Sequence, residues 1–356
     1  SGYNGVVLHV VFRTKKKPVF REDETRIPEL VLENHIPQHV FRNYDQLIRA
    51  EGSLPCASRW EKVPAIVKHT WLTRLAIERL EQKSHAFSER LKALKGDWNQ
   101  LLWEAIGAGM GGPVNKEAFT LICKKIPVKL LAQYRNDHVK QEALLFGLAG
   151  LLGENDLEPD FYHQKLVQEW EHLQRKHDLP IFVIESVRFH RMRPAAFPTI
   201  RLSQLASIAN IWPQLTALLG DQGVNTFMDS TMAASTYWDT HYRFQKPRAY
   251  QVKKMGKLQK ASIVINIIAP LGTLFHRLNQ RGESDHWLED SLSALPAEHN
   301  KVTRVFESLE TKPRNTLESQ GMIRLYHAYC SEKRCLDCAI GTSVLGTRHD
   351  RKMVVT

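Results

Sequence analysis

Acidic residues are in short supply in this 356-residue chain, where 38 Asp and Glu face 49 Lys and Arg, a formal net charge of +11 and a sequence pI near 9.4. A summed positive field attracts polyanions, and nucleic acid is the commonest such partner. Cations that merely solvate helix faces give the same count, so the charge sets a direction of search and not a function. Cysteine is scarce as well. Five is an odd number for a disulfide framework, and three of the five crowd between Cys330 and Cys338, which points to a reducing, cytoplasmic compartment. Long hydrophobic runs are missing. The longest, residues 261–275, contains Ser262, Asn266 and Pro270 and falls short of the ~20 residues that cross a bilayer. It reads as a buried core helix, and no membrane partner is expected. No charged-then-apolar leader opens the chain, so export is not expected.

Familiar catalytic spacings are absent too. The chain has no G-x-S-x-G elbow, no H-E-x-x-H and no G-x-G-x-x-G after a strand. The glycines at 107, 109, 111 and 112 imitate a phosphate loop only superficially, since no strand precedes them and no Gly-Lys-Ser/Thr follows. Repeats and low-complexity tracts are lacking. Hydrophobic residues at 43% and charged residues at 24% exclude widespread disorder.

What is present begins with residues 5–12, a β-branched run that reads as a strand buried on both faces, with Val7, His9 and Val11 on one side. The basic turn of residues 15–18 follows, and residues 19–20 and 29–33 are further short strand candidates. Three strands without a crossover helix do not complete an α/β unit, so the chain is expected to begin partway through a domain. From Val63 the period becomes helical. Trp71, Leu72, Leu75, Ile77, Leu80, Phe87, Leu91 and Leu94 recur at mostly three- and four-residue intervals, Gly96 supplies a stop, and Asp97 caps the next helix. Further helices are predicted over 116–125, 128–134, 138–152, 160–177, 202–219, 257–278 and 316–329. The expected fold class is α+β, with residues 1–50 as the C-terminal part of an α/β domain, 51–345 as a mainly helical domain and 346–356 as a loose tail.

Five stretches carry a resemblance: the strand around His9, the Leu54-Pro55-Cys56 element leading into the helix of Trp71, residues 141–153, residues 191–206 and the ending around Cys330 to Gly341. Together they resemble a bacterial family described as a domain of unknown function, number 2851. The resemblance implies a restriction-endonuclease-like α/β domain of the PD-(D/E)XK type at the N-terminus. There a Gly-Pro-Asp-Phe motif and a Val-Glu-Ile-His motif would supply metal-binding carboxylates. Neither motif occurs here. The N-terminal domain is therefore expected to be a remnant, catalysis with Mg²⁺ or Mn²⁺ is expected only in a longer form, and His9 is the one candidate active-site residue left on the strand. Such sites need fixed carboxylates, because the bound cation polarises the phosphate and acidifies the attacking water. Two functions follow: a nucleic-acid-processing protein related to metal-dependent nucleases, or a non-enzymatic nucleic-acid-binding or scaffold protein with a degenerate nuclease-like fold.

The most specific chemical pattern lies at the other end. Cys330, Cys335 and Cys338 form C-x4-C-x2-C, whose C-x2-C half sets two thiolates close enough to share one metal or cluster edge. Cys56 is the candidate fourth ligand, because the resemblance includes its Leu-Pro-Cys element. Cys123 reads as a core thiol. Zinc, an iron–sulfur cluster, reduced structural thiols and redox chemistry all fit the spacing. The neighbours Lys333 and Arg334 are expected to lower the thiol pKa values.

Basic residues interleaved with aromatics form a third pattern. Arg188, Arg191, Arg193 and Arg201 surround Pro194 and Pro198, which are expected to hold the segment extended and keep it out of a helix. Tyr237, Trp238, Tyr242, Arg243 and Phe244 precede Lys246, Arg248, Lys253 and Lys254. Cations can track a phosphate backbone while aromatics stack on unpaired bases, so Arg188, Arg191, Arg193, Arg201, Tyr242, Lys246, Arg248, Lys253 and Lys254 are the candidate nucleic-acid contacts.

Overall fold

The computed structural model describes residues 4–14, 18–153, 160–180, 187–212, 214–279 and 284–346. Most of the basic turn of residues 15–18 and the expected tail of residues 346–356 lie outside them. Two parallel strands, β1 (His9–Val11) and β2 (Glu29–Val31), pair with His9 opposite Glu29. Helices follow: α1 (Gln38–Arg49), α2 (Ala65–Ala93), α3 (Trp98–Lys125), α4 (Val128–Gln133), α5 (His138–Leu148), α6 (Phe161–Lys176), α7 (Pro198–Ile211), α8 (Gly223–Asp229), α9 (Lys257–Ile263), α10 (Ala269–Leu278), α11 (Ser284–Ser293), α12 (Lys301–Glu307), α13 (Thr316–Leu325) and α14 (Ala339–Gly346). The protein is α+β with helices dominant.

Two compact units divide the chain. Unit 1 comprises Ser1–Ala76, Glu298–Pro313 and Glu318–Thr356, and unit 2 comprises Ile77–Ala297 and Arg314–Leu317. In unit 1 the core gathers Leu47, Leu54, Trp60, Leu75, Phe306, Met322 and Ile340 around four buried cysteines. Trp60 packs on Phe306 with ring centroids 5.5 Å apart, and its Nε1 donates to Thr311 Oγ1 at 2.7 Å. That bond removes the cost of burying an indole N–H.

The strand expected over residues 5–12 is corrected. Only His9–Val11 pair, and Val7 is 80% and Val10 50% exposed. A β-branched run favours extended backbone, but parallel strands are buried on both faces only where other layers cover them. No described element supplies such layers here.

Unit 2 is helical. The Asp97 side chain accepts from Gln100 N at the start of α3, and Gly96 has φ +84, so cap and stop sit where the sequence places them. The glycine string lies in α3, which breaks at Gly112 (φ 58, ψ −164) and Asn115 (φ −119, ψ 16), on either side of Pro113. The conformation at Gly112 is open to glycine and barred to most side chains. One π-helical stretch, Val264–Ile268, joins α9 to α10. This continuous span, Lys257–Leu278, is long and apolar enough to cross a membrane by composition, yet its apolar window is 72% buried in the protein. It is a core helix.

Candidate metal centre and candidate nucleic-acid interface

In unit 1, four thiols meet. Cys56 precedes a 3-10 turn (Ala57–Lys62), Cys330 ends a π-helical stretch (Tyr326–Cys330), Cys335 opens a 3-10 turn (Cys335–Asp337) and Cys338 immediately precedes α14. All are buried and free, and all line one pocket of about 10 Å³ together with Tyr329 and Gly341. Cys123 lies in α3 of unit 2. Among the described residues no group of three or more His, Cys, Asp or Glu side chains has, as it stands, the arrangement of a metal-binding set. The shared pocket is the observation, not a formed centre.

Position explains how the thiols are held. A left-handed residue, Lys333 (φ 50), turns the chain between Cys330 and Cys335, with Lys333 N donating to Cys330 O at 3.1 Å and Arg334 N to Tyr329 O at 2.8 Å. α14 comes so close to the Cys335 turn that a Cβ on Gly341 would stand 2.1 Å from the Cys335 carbonyl oxygen. Only glycine allows that approach.

Burial pushes the Cys56 thiol up to about 12, and Cys338 and Cys335 add to the rise. Cys330 is pushed well up by burial and then by Cys56, Cys338 and Cys335. Cys335 rises through burial against the opposing pull of Lys333. The expected lowering by Lys333 and Arg334 is thus corrected. Desolvation outweighs the cations, the Lys333 ammonium donates to Ile48 O at 2.5 Å, and Arg334 pairs with Asp337 at 3.0 Å. Burial raises Cys338 as well, opposed by the N–H groups of Gly341 and Ile340 and by Trp71. The Trp71 Nε1 atom is buried without a hydrogen bond of strict geometry, yet it lies near enough to Cys338 to favour the ionised sulfur.

His9 is partly buried. Its Nδ1 lies 3.5 Å from Glu29 Oε2, and Glu29 Oε1 accepts from Thr14 Oγ1 at 2.7 Å. The sequence indicates both strands but not their register, so Glu29 is the partner that sequence reasoning missed.

Unit 2 brings the two basic segments together. Thr199 Oγ1 donates to Tyr242 O, and Gln204 Nε2 donates to Lys253 O at 3.0 Å. The Arg243 guanidinium lies 4.6 Å from the Phe189 ring centroid and 5.1 Å from that of Phe197. Arg188, Arg191, Arg193, Arg243, Lys246, Arg248 and Lys254 are exposed. Among the described residues none of these seven forms an ion pair, whereas four cations elsewhere in unit 2 do: Arg90 with Glu104, Lys129 with Asp97, Lys140 with Asp137 and Arg277 with Glu81. Arg201 is different. Burial pulls its guanidinium down to about 10, and its one described side-chain bond runs to Gln204 Oε1 at 3.1 Å.

Not every candidate faces outward. Lys253 is buried, donates to Gln251 O at 2.8 Å and Asp239 O at 3.2 Å, and stands 4.3 Å over the Tyr242 ring. Tyr237 is stacked between Tyr162 and His241, at 4.4 and 4.2 Å, and Trp238 is fully buried. Tyr250, 72% exposed, and the partly exposed Tyr242 are the tyrosines left at this surface.

Beneath it lies a polar cluster that sequence reasoning missed. Glu142, fully buried on α5, accepts from Ser203 Oγ at 2.5 Å, Tyr162 OH at 2.8 Å and Trp238 Nε1 at 3.0 Å. Its one signal was an acid at the head of an apolar run, residues 143–149. Asp160 caps α6 and accepts from Tyr237 OH at 2.5 Å. Burial holds the Tyr162 and Tyr237 hydroxyls well above the usual phenol range. Both therefore act as donors.

The profile of a family described as Protein of unknown function (DUF2851) matches residues 1–301, a span that stops before Cys330. No curated protein and no solved structure matches.

Proposed function

This chain belongs to the DUF2851 family, and from that premise, which carries no activity with it, we propose that it is a nucleic-acid-binding protein whose contact surface is the basic face of unit 2. One observation carries the reading. Seven exposed cations on two adjoining segments lack carboxylate partners among the described residues, whereas Arg90, Lys129, Lys140 and Arg277 have them. Cations that only solvate a surface gain by pairing with nearby acids, at up to about 1 kcal/mol each. A surface that keeps seven unpaired on its own chain is arranged for anions from outside. The planar guanidinium suits phosphate, which it can bind through two parallel hydrogen bonds.

The site favours contact with the backbone over the reading of bases. Arg188, Arg191 and Arg193 stand on a short irregular segment that turns at Arg191 (φ 59) and runs into a 3-10 turn, not the extended one expected, so the main term is phosphate neutralisation. Fluorescence anisotropy with labelled single-stranded and duplex oligonucleotides over a salt series tests this. The expected result is binding whose log K falls linearly with log salt, by about 0.9 per phosphate on duplex DNA. Binding that ignores salt, or none at low salt, rejects the proposal.

A nuclease ancestry is the second reading, favoured by the His9–Glu29 pair on adjacent parallel strands. One imidazole and one carboxylate already hydrogen-bonded to Thr14 are a thin ligand set for a hydrolytic cation. Cleavage is accordingly left out of the proposal.

A further inference from the structure

The four thiols of unit 1 are not used by the proposed nucleic-acid surface, and their surroundings are built. Three features act together. Cys56, Cys330, Cys335 and Cys338 line one pocket although the chain between Cys56 and Cys330 passes through the whole of unit 2. The N–H groups of Ile340 and Gly341, at the first turn of α14, favour the ionised Cys338 sulfur, and Trp71 packs against the same cluster. Trp71 Nε1 is buried without a hydrogen-bond partner. Gly341 lets α14 approach to where any larger residue would strike the Cys335 carbonyl.

A neutral thiol is a weak acceptor, so the buried Trp71 indole N–H packed against these thiols is left unsatisfied, and an unsatisfied buried donor is costly. A metal-bound thiolate carries negative charge and is the better acceptor for such a donor. The pocket limits what can be bound. A volume of about 10 Å³ is near the lower bound for a single water-sized occupant. One ion is the simplest occupant of such a space.

We propose that Cys56, Cys330, Cys335 and Cys338 are the four ligands of one divalent thiophilic ion of the zinc class, which fastens the Cys56 turn to the C-terminal turns of unit 1. An all-thiolate set without an open position is that of a structural centre and not of a hydrolytic one. On binding, each thiol gives its proton to solvent and no electron changes hands, so affinity falls as pH falls. The four sulfurs stand short of a closed coordination set, and small movements of the two flanking turns that close it are part of the proposal.

The test uses the full chain, purified under reducing conditions, stripped with a strong chelator and titrated with cobalt(II) alone. The expected outcome is a sulfur-to-cobalt charge-transfer band that saturates near one equivalent and is abolished by zinc. On stripping, the thiols open to a maleimide should rise by about four, a readout on the unaltered chain that does not depend on any variant folding. Cys335→Ser should lose the band, and Cys123→Ser should bind as the parent does. The proposal is overturned by a chain that binds neither ion, by iron with acid-labile sulfide in the isolated protein, by a Cys335–Cys338 disulfide as the resting state, or by a requirement for Cys123.

Discussion

The hydroxyl of Thr199 donates a 2.6 Å hydrogen bond to the carbonyl oxygen of Tyr242, 43 residues further along the chain. Thr199 is fully buried in the first turn of α7, directly after the arginine-rich segment. The bond thus fixes that segment against the aromatic–basic one, and with it the spacing of their cations. Thr199→Val keeps the shape and removes the donor, leaving the Tyr242 carbonyl short of a partner. The expected cost is about 1–3 kcal/mol in urea unfolding. Nucleic-acid affinity should weaken with little change in salt slope, because no charge has been removed. A steeper loss at high salt than at low would contradict this.

Arg191 and Arg193 are exposed on the turn that leads into the 3-10 helix Pro194–Ala196. If each touches a phosphate, Arg191→Ala with Arg193→Ala should make the salt slope shallower by about two units and weaken binding equally on unrelated sequences. Arg90→Ala, which removes the partner of the buried Glu104 carboxylate, should instead lower stability and leave the slope alone. Anisotropy over a salt series, beside unfolding curves, separates the two.

Periodicity and capping made the helical part legible. Asp97 and Gly96 act as their residue types suggest, and the core helix over residues 257–278 is where its apolar run places it. Some short helices escaped, though the six-residue α4 did not. In α8 and α12 fewer than three turns give too little period to read. The strand was read from local preference, while its burial depends on layers that a periodic pattern cannot reveal. The polar cluster escaped for a related reason: Glu142 meets Ser203 and Trp238 only through packing, at separations of 61 and 96 residues.

Gly341→Ala tests the close approach of α14 to the Cys335 turn. The added methyl would meet a backbone oxygen, which cannot swing aside as a side chain can. A loss of about 1–3 kcal/mol is expected. Gly346→Ala, in the same helix with nothing within 4 Å of its Cβ position, should change stability by less than about 0.5 kcal/mol. Equal effects in thermal unfolding would remove the packing argument.

Glu142 receives three hydrogen bonds and offers none. Glu142→Gln puts an amide N–H₂ among the same donors, so at least one bond of the charged kind is lost and one donor faces another. The expected cost is about 1.5–3 kcal/mol. Since Ser203 Oγ also accepts from Ser235 N at 2.8 Å, the loss should loosen the segment that begins at Thr236. Hydrogen exchange should rise there before it rises in α10. An unchanged exchange pattern would mean that the carboxylate is locally dispensable.

His163 should make the protein acid-sensitive. Its ring is buried, both ring nitrogens lack a hydrogen-bond partner, and Phe244 packs edge-on at 4.8 Å. Burial lowers its pKa below the usual imidazole value, and the nearby Asp160 carboxylate, itself held low, only partly opposes that. A base whose pKa is lowered on folding binds its proton more readily in the unfolded chain. Stability from this residue is therefore complete above about pH 6.5 and is lost as pH falls from there toward the folded value, at up to about 1.4 kcal/mol per unit. His163→Phe fills the same space and cannot charge, so the variant should match the parent near pH 7.5 and exceed it near pH 5.5 (both values set on the ~6.5 reference). His177, which burial also lowers, is present in both proteins and cancels in the difference. Urea unfolding of the two at both values decides it: curves that shift in parallel with pH would show that His163 picks up no proton over this range.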